Sequence, residues 1–245
     1  MRIAIDTGGT FTDCVYLKDG APAVLKVPST PDNPAKSVLE AVQQIAGNVA
    51  AEVRHGTTIG TNALLERKGA RTAFVTTAGL EDTIAIGRQA RQYLYDWMAT
   101  PAPCIVPQEL RFGVAERVSP GGDILRVPSQ QELSDLCHRV RASGAESIAV
   151  SLLFSFANPD NERRVAAALR ELNLPISMSH EILPEFREYE RAATVVVNAY
   201  LVPKVGSYVQ RLESTIESQH PGKLYVMQSS GGIISGKLAS KEPVR

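Results

Sequence analysis

The chain has 245 residues, with 26 Lys+Arg against 26 Asp+Glu, 44% hydrophobic and 21% charged residues, and a pI near 6.9. At roughly 100–200 residues per domain this length allows one large or two small domains, and the apolar and charged fractions exclude disordered and collagen-like classes. Zero net charge gives no long-range pull toward nucleic acid or a membrane surface, no apolar run approaches the ~18 residues of a membrane span, and Asp6 falls where a secretion signal would stay apolar; a cytoplasmic protein is expected.

Arg2 to Asp6 reads as a first strand, Thr7-Gly8-Gly9-Thr10 as a turn, Thr12 to Lys18 as a second strand, and Ala23 to Val27, after the tight turn Asp19-Gly20, as a third. Pro31 and Pro34 open a helix whose apolar residues Ala35, Val38, Leu39, Val42 and Ile45 recur at helical spacing, and Gly47-Asn48 closes it. Strands and helices then alternate. Glu52 to Arg54 leads into His55-Gly56-Thr57-Thr58 and a helix over 59–68, with Thr72 to Thr77 the next strand. Pro101 to Pro128, rich in proline and glycine, predicts an irregular or short-strand insertion. Ser129 with Glu132 marks a capping box for a helix to about Ser143. A buried strand over 147–153, a helix from Pro159 to about Leu172 and a strand over 176–179 follow. Glu185 to Tyr200 mixes charges with an apolar run, Pro203 interrupts it before a second helix, and Leu224 to Gln228 is a last strand. The pattern predicts an α/β fold with a mixed sheet that opens on an antiparallel hairpin.

Asp6-Thr7-Gly8-Gly9-Thr10-Phe11-Thr12-Asp13 is the sharpest chemical signal. Paired glycines let a ligand approach the backbone, successive N–H groups of such a turn form an anion nest, and Thr7, Thr10 and Thr12 add hydroxyls. Asp6 and Asp13 are oxygen donors of the kind Mg2+ takes, largely through water. The plain reading of the same residues is a polar hairpin whose side chains cap turns. A second signal, Gly56, Thr57 and Thr58 with Thr61 and Asn62, places a helix N-terminus where it meets an anion, or marks an ordinary helix cap. Arg88 and Arg91 offer a cationic edge for a substrate carboxylate or phosphate, or a solvated helix face. The dense charges of Glu185 to Arg191 read as a salt-bridged helix surface or, beside a cleft, as a functional cluster of glutamates and arginines. Cys14, Cys104 and Cys137 and four scattered histidines show no metal-ligand spacing, so reduced thiols are expected.

Ile5 to Asp13, His55-Gly56-Thr57-Thr58 with Thr61-Asn62-Ala63, Gly87-Arg88-Gln89, Arg187 to Arg191 with Val197 to Leu201, and Gln228-Ser229-Ser230-Gly231-Gly232 together resemble the hydantoinase A / 5-oxoprolinase family. The resemblance implies an actin-like ATPase lobe of ribonuclease H-like type, an N-terminal domain over 1–180 and the beginning of a main domain over 181–245. It implies ATP and Mg2+ at Asp6, Asp13, Thr7, Gly8, Gly9, Thr10 and Thr12, with Gly56, Thr57, Thr58, Thr61 and Asn62 beside them. ATP-dependent hydrolysis of a cyclic amide such as a hydantoin, N-methylhydantoin or 5-oxoproline, through phosphorylation of the amide oxygen, is the implied activity, with a B-type subunit or a second copy of the chain as partner. An acetone/acetophenone-type carboxylase subunit is the alternative enzyme, and an actin-like nucleotide-binding regulatory module an alternative of another class. Two departures stand out. Arg91 is followed by Gln92 where the family commonly has Arg-Pro, and the second glycine-rich phosphate segment is expected beyond Arg245. Lys237 to Arg245 is therefore expected to be a cut within a two-lobed protein, holding about half a nucleotide site and showing little turnover by itself.

Overall fold

The fold is seen in a computed structural model that describes residues 1–30, 33–90, 95–98, 103–219 and 222–245. It opens with β1 (Arg2–Thr7), β2 (Phe11–Lys18), β3 (Ala21–Pro28), α1 (Pro34–Ala46), β4 (Glu52–Thr57) and α2 (Ile59–Leu65). There follow β5 (Thr72–Thr77), α3 (Thr83–Ile86), β6 (Arg111–Val114), β7 (Arg117–Val118), β8 (Ile124–Arg126), α4 (Gln130–Ala142), β9 (Ser147–Ser151), α5 (Asp160–Leu169), β10 (Ile176–Met178), α6 (Ser179–Ile182) and α7 (Glu188–Leu201). The last elements are α8 (Ser207–Gln219), β11 (Lys223–Met227), β12 (Ile233–Ser235) and α9 (Gly236–Lys241). The chain forms two compact units, one built from Met1–Lys68 with Lys204–Arg245 and the other from Gly69–Pro203.

The first unit holds a six-stranded sheet in the order β12-β11-β4-β1-β2-β3. The expected hairpin is there: β1 pairs antiparallel with β2, and β2 with β3. β4 runs parallel to β1 and β11 parallel to β4, so the sheet is mixed. Helices α1 and α8 pack on each other and on the sheet. Along β1 the side chains of Ile3, Ile5 and Thr7 are buried while Arg2, Ala4 and Asp6 are exposed, the period-2 alternation of a strand with one covered face. α1 begins with proline at its first position, where the missing N–H costs no helical bond.

The second unit is an α/β layer around the parallel strands β10-β9-β5-β6. β5 and β9 are buried at every residue, as expected for central strands covered on both faces. Ala73, Val75, Ile148 and Val150 meet Leu133, Leu136 and Val140 of α4 and Val165 and Leu169 of α5. The Ser129 capping box forms as predicted, with Ser129 Oγ accepting from the Glu132 amide and the Glu132 carboxylate accepting from the Ser129 amide. From residue 103 to Pro128 the chain is the short-strand insertion expected, with β6, β7 and β8, while residues 101 and 102 lie outside the described ones. Its residues 111–114 pair with β5 as an edge strand, because Phe112 and Val114 have the alternation needed to bury one face against the core. Pro203 lies in a π-helical turn, Val202–Gly206, between α7 and α8, as its missing N–H requires. Among the described residues no helix is long and apolar enough to cross a membrane.

Candidate nucleotide site

β1, β4 and β11 run parallel, so the turns that follow them lie at one edge of the sheet: Thr7 to Phe11, Gly56 to Ile59 and Gln228 to Gly232. Carboxyl ends of parallel strands are the usual place for ligands in open α/β sheets. The third turn carries no local chemical signal beyond its family resemblance. Its parallel pairing to β4, a long-range feature with no local signal, is what places it beside the other two. It is closed by Gly231 N–H to the Gln228 carbonyl at 3.0 Å and Gln228 N–H to the Gly232 carbonyl at 2.8 Å, and Gly231 takes φ +89°.

Asp6 and Asp13 are direct cross-strand partners on β1 and β2, and Gly56 is the partner of Asp6 on β4. The three therefore form one row on one face. Cross-strand partners have Cβ atoms roughly 5 Å apart, so two carboxylates repel unless a cation stands between them. Lys26, opposite Asp13 on β3, supplies part of that charge at 3.3 Å from Oδ1. The bare Cα of Gly56 makes room for Asp6, since a methyl group added there would lie 3.1 Å from Asp6 Oδ1. Two exposed carboxylates with oxygen donors only suit Mg2+, which retains most of its waters.

The turn itself closes with Gly8 N–H donating to the Phe11 carbonyl at 3.0 Å. Gly8, Gly9 and Thr10 are exposed, and among the described residues the amides of Gly9 and Thr10 make no hydrogen bond to the backbone. Thr7 and Thr12 belong to the neighbouring row and turn to the other face. Thr12 is fully buried and its hydroxyl donates to Ser37 Oγ at 3.0 Å, so it lies beneath the turn, contrary to the expectation that it faces a phosphate. Strand alternation is the reason: Thr12 is in phase with Cys14, also buried, and out of phase with Asp13.

In the second turn Thr58 is the N-cap of α2, but its side chain makes no capping bond, because its backbone is not extended as a capping residue's is. Thr57 Oγ1 instead accepts from Ile59 N–H at 3.3 Å, and Thr58 Oγ1 accepts from Asn62 Nδ2 at 3.4 Å. Thr61 and Asn62 are exposed. His55, just before Gly56, is wholly buried, with Nε2 at 2.9 Å from the Tyr208 hydroxyl on α8. Burial pushes its pKa down from 6.5 to about 4, so the ring is neutral at pH 7. Its unfolded form binds a proton the folded form refuses. Stability from this residue is thus full above pH 6.5 and is lost as pH falls toward about 4, by about 3 kcal/mol in all. Melting curves between pH 7 and pH 4 should show this loss, and H55Q should flatten that part of the profile; an equally steep decline in the variant would reject His55 as its source.

Arg88 and Arg91 lie apart from this row in the chain. Arg88 belongs to the second unit, where its guanidinium pairs with Glu190 of α7 and the Gly87 backbone packs on the Tyr189 ring. Arg91 lies outside the described residues. In the Glu185–Arg191 run, Glu185 to Arg187 are exposed and Glu188 and Glu190 form ion pairs, as expected of a salt-bridged surface, but Arg191 is not solvated. Among the described residues it is the largest fully buried side chain, with Nη1 donating to the Glu185 carbonyl and Nη2 to the Leu152 carbonyl at 2.9 Å each, Nε to Ser179 Oγ at 3.3 Å, and an ion pair to Glu188.

Topology, the glycine turn and the facing aspartates define an actin-like ATPase type of lobe, α/β with a mixed sheet. The fold superposes on the nucleotide-free structure of acetone carboxylase from a study of ATP-dependent acetone carboxylation, with TM-score 0.87, 26% identity, 99% of this chain and 38% of that one. The sequence pattern of the hydantoinase/oxoprolinase N-terminal region matches residues 2–173, and that of hydantoinase/oxoprolinase matches residues 191–245. The chain belongs to the hydantoinase/oxoprolinase family. It is 37% identical to an uncharacterized protein of Methanocaldococcus jannaschii and 32% identical to the caprolactamase subunit alpha of Pseudomonas jessenii, in each case over 99% of this chain and 37% of the relative. It thus spans little more than a third of the length of these relatives.

Proposed function

We propose that this chain contributes the first phosphate-binding turn of an ATP site in an enzyme that opens a cyclic amide of the hydantoin or 5-oxoproline kind. The observation that carries the reading is the turn at Gly8-Gly9, with two unbonded amides next to the opposed carboxylates of Asp6 and Asp13. Gly9 and Thr10 N–H groups bind phosphate oxygens, and Asp6 and Asp13 hold Mg2+. When bound, Mg2+ offsets charge on the phosphates. Gly56 keeps space for the Asp6 carboxylate, and Thr57, Thr58, Thr61 and Asn62 line the adjoining turn. Arg88, with Arg91, is the proposed contact for substrate.

An unstrained amide resists hydrolysis because its nitrogen is a poor leaving group. Transfer of the γ-phosphoryl group to the amide oxygen breaks the terminal P–O bond of ATP and releases ADP. Water then adds to the activated carbon and the C–N bond breaks, with the nitrogen taking a proton. A second water releases phosphate from the resulting acyl phosphate and leaves the open-chain acid. Positioning and charge stabilisation dominate catalysis of such a transfer, and backbone amides provide both.

The proposal extends to a cytoplasmic protein working with a B-type subunit, and to family domains that divide near residue 180, a linear division distinct from the two spatial units. The likeness to acetone carboxylase favours one second reading, a subunit that uses ATP in carboxylation of a ketone. Phosphate release by the full-length protein, followed against hydantoins, 5-oxoproline and ketones with bicarbonate, separates the two. Ring opening coupled to phosphate release is expected. Bicarbonate-dependent loss of ketone transfers the assignment to the second reading, and phosphate release indifferent to every compound refutes both.

A further inference from the structure

Ser29, just past the end of β3, takes hold of the glycine turn twice. Its N–H donates to the Thr10 carbonyl at 2.9 Å and its Oγ donates to the Gly8 carbonyl at 2.8 Å. A trans peptide points its C=O and N–H in opposite directions. Drawing the Gly8 carbonyl onto Ser29 therefore turns the Gly9 N–H away from Ser29. Two adjacent glycines have no Cβ to resist a flip of that peptide, so something else must fix it.

The anchor is itself braced. Ser29 Oγ lies 3.1 Å from Thr12 Oγ1, Thr12 donates to Ser37 Oγ at 3.0 Å, and Ser37 donates to the Pro34 carbonyl in the first turn of α1 at 3.1 Å. Thr12 and Ser37 are wholly buried. Thr12 and Ser37 are thus tied to the start of a 13-residue helix beneath the turn, whereas Ser29 and Thr12, with their protons on the Gly8 carbonyl and on Ser37, touch without a hydrogen bond between them; what holds Ser29 in place is its own N–H on the Thr10 carbonyl.

We propose that Ser29 is a positioning residue for phosphate binding, holding the Gly8–Gly9 peptide in the orientation that presents the Gly9 amide to the nucleotide. This rests on the ATP-site reading above. Ser29 touches no phosphate; it acts through the carbonyl it holds.

The test is calorimetric binding of ATP, ADP and adenosine to full-length wild type, S29A and S29T in the presence of Mg2+. S29A loses one hydrogen bond, so its affinity for ATP and ADP is expected to fall about 3- to 10-fold. Adenosine, which lacks phosphate, should bind both proteins alike, and S29T, which keeps the hydroxyl, should restore ATP affinity. Equal ATP affinity in S29A and wild type overturns the assignment, as does an equal loss for adenosine, which would mark a merely structural role. Wild-type protein that binds none of the three removes the nucleotide reading itself, an outcome distinct from the failure of Ser29 alone.

Discussion

Alanine in place of Asp6 is expected to abolish ATP turnover by the full-length protein, by 100-fold or more on the scale of about 10²–10³ typical for loss of one group that stabilises charge at a reacting centre. The fold should survive. Asp6 is exposed, stands opposite Asp13 across the hairpin, and its removal relieves repulsion between like charges. Circular dichroism and a melting curve establish the intact fold, and phosphate release measures the loss. Full turnover with unaltered nucleotide affinity would show that the acid has no part in the site. An asparagine variant refines the result: it keeps the size and one oxygen but not the charge, and should recover little.

The second large effect concerns stability. Arg191→Ala leaves the buried Leu152 carbonyl and the part-buried Glu185 carbonyl without donors, takes the ion-pair partner from the partly exposed Glu188 and opens space where a fully buried side chain stood, at a cost of about 2–4 kcal/mol. Lysine should rescue only partly, since a single ammonium cannot reproduce the planar fork that reaches two carbonyls, Ser179 and an acid together. Denaturant midpoints of R191A, R191K and wild type measure this. A midpoint for R191A within experimental error of wild type would show the buried guanidinium to be dispensable.

What the sequence made readable was local. Proline at the start of α1, the Ser129–Glu132 pair and the Asp19-Gly20 turn carry their own chemistry, and each element came out where those residues place it. The glycine turn was equally plain, because no other feature nearby explains paired glycines between two strands. Facing was harder. β2 has apolar residues in both phases, with Phe11, Val15 and Leu17 exposed and Cys14 buried, so hydrophobicity by itself did not say that Thr12 points inward. Its pairing with Thr7, in phase with Ile3 and Ile5, decides it. Arg191 shows the same limit: a charged run looks solvated until its long-range partners, here Leu152 and Ser179, are known. Ser29 gave no signal at all, since its importance depends on two carbonyls presented by a distant turn.

The first unit is made from the two ends of the chain, with residues 69–203 lying between them. During synthesis the hairpin that carries the glycines leaves the ribosome before residues 69–203, and strand β4 gains its second neighbour only when β11 follows them. Meanwhile the intervening segment is contiguous and free to fold as a block, which shortens the effective loop that must close. A chain stalled before Lys223 would therefore present β4 with one unpaired edge, an open template for association with other chains.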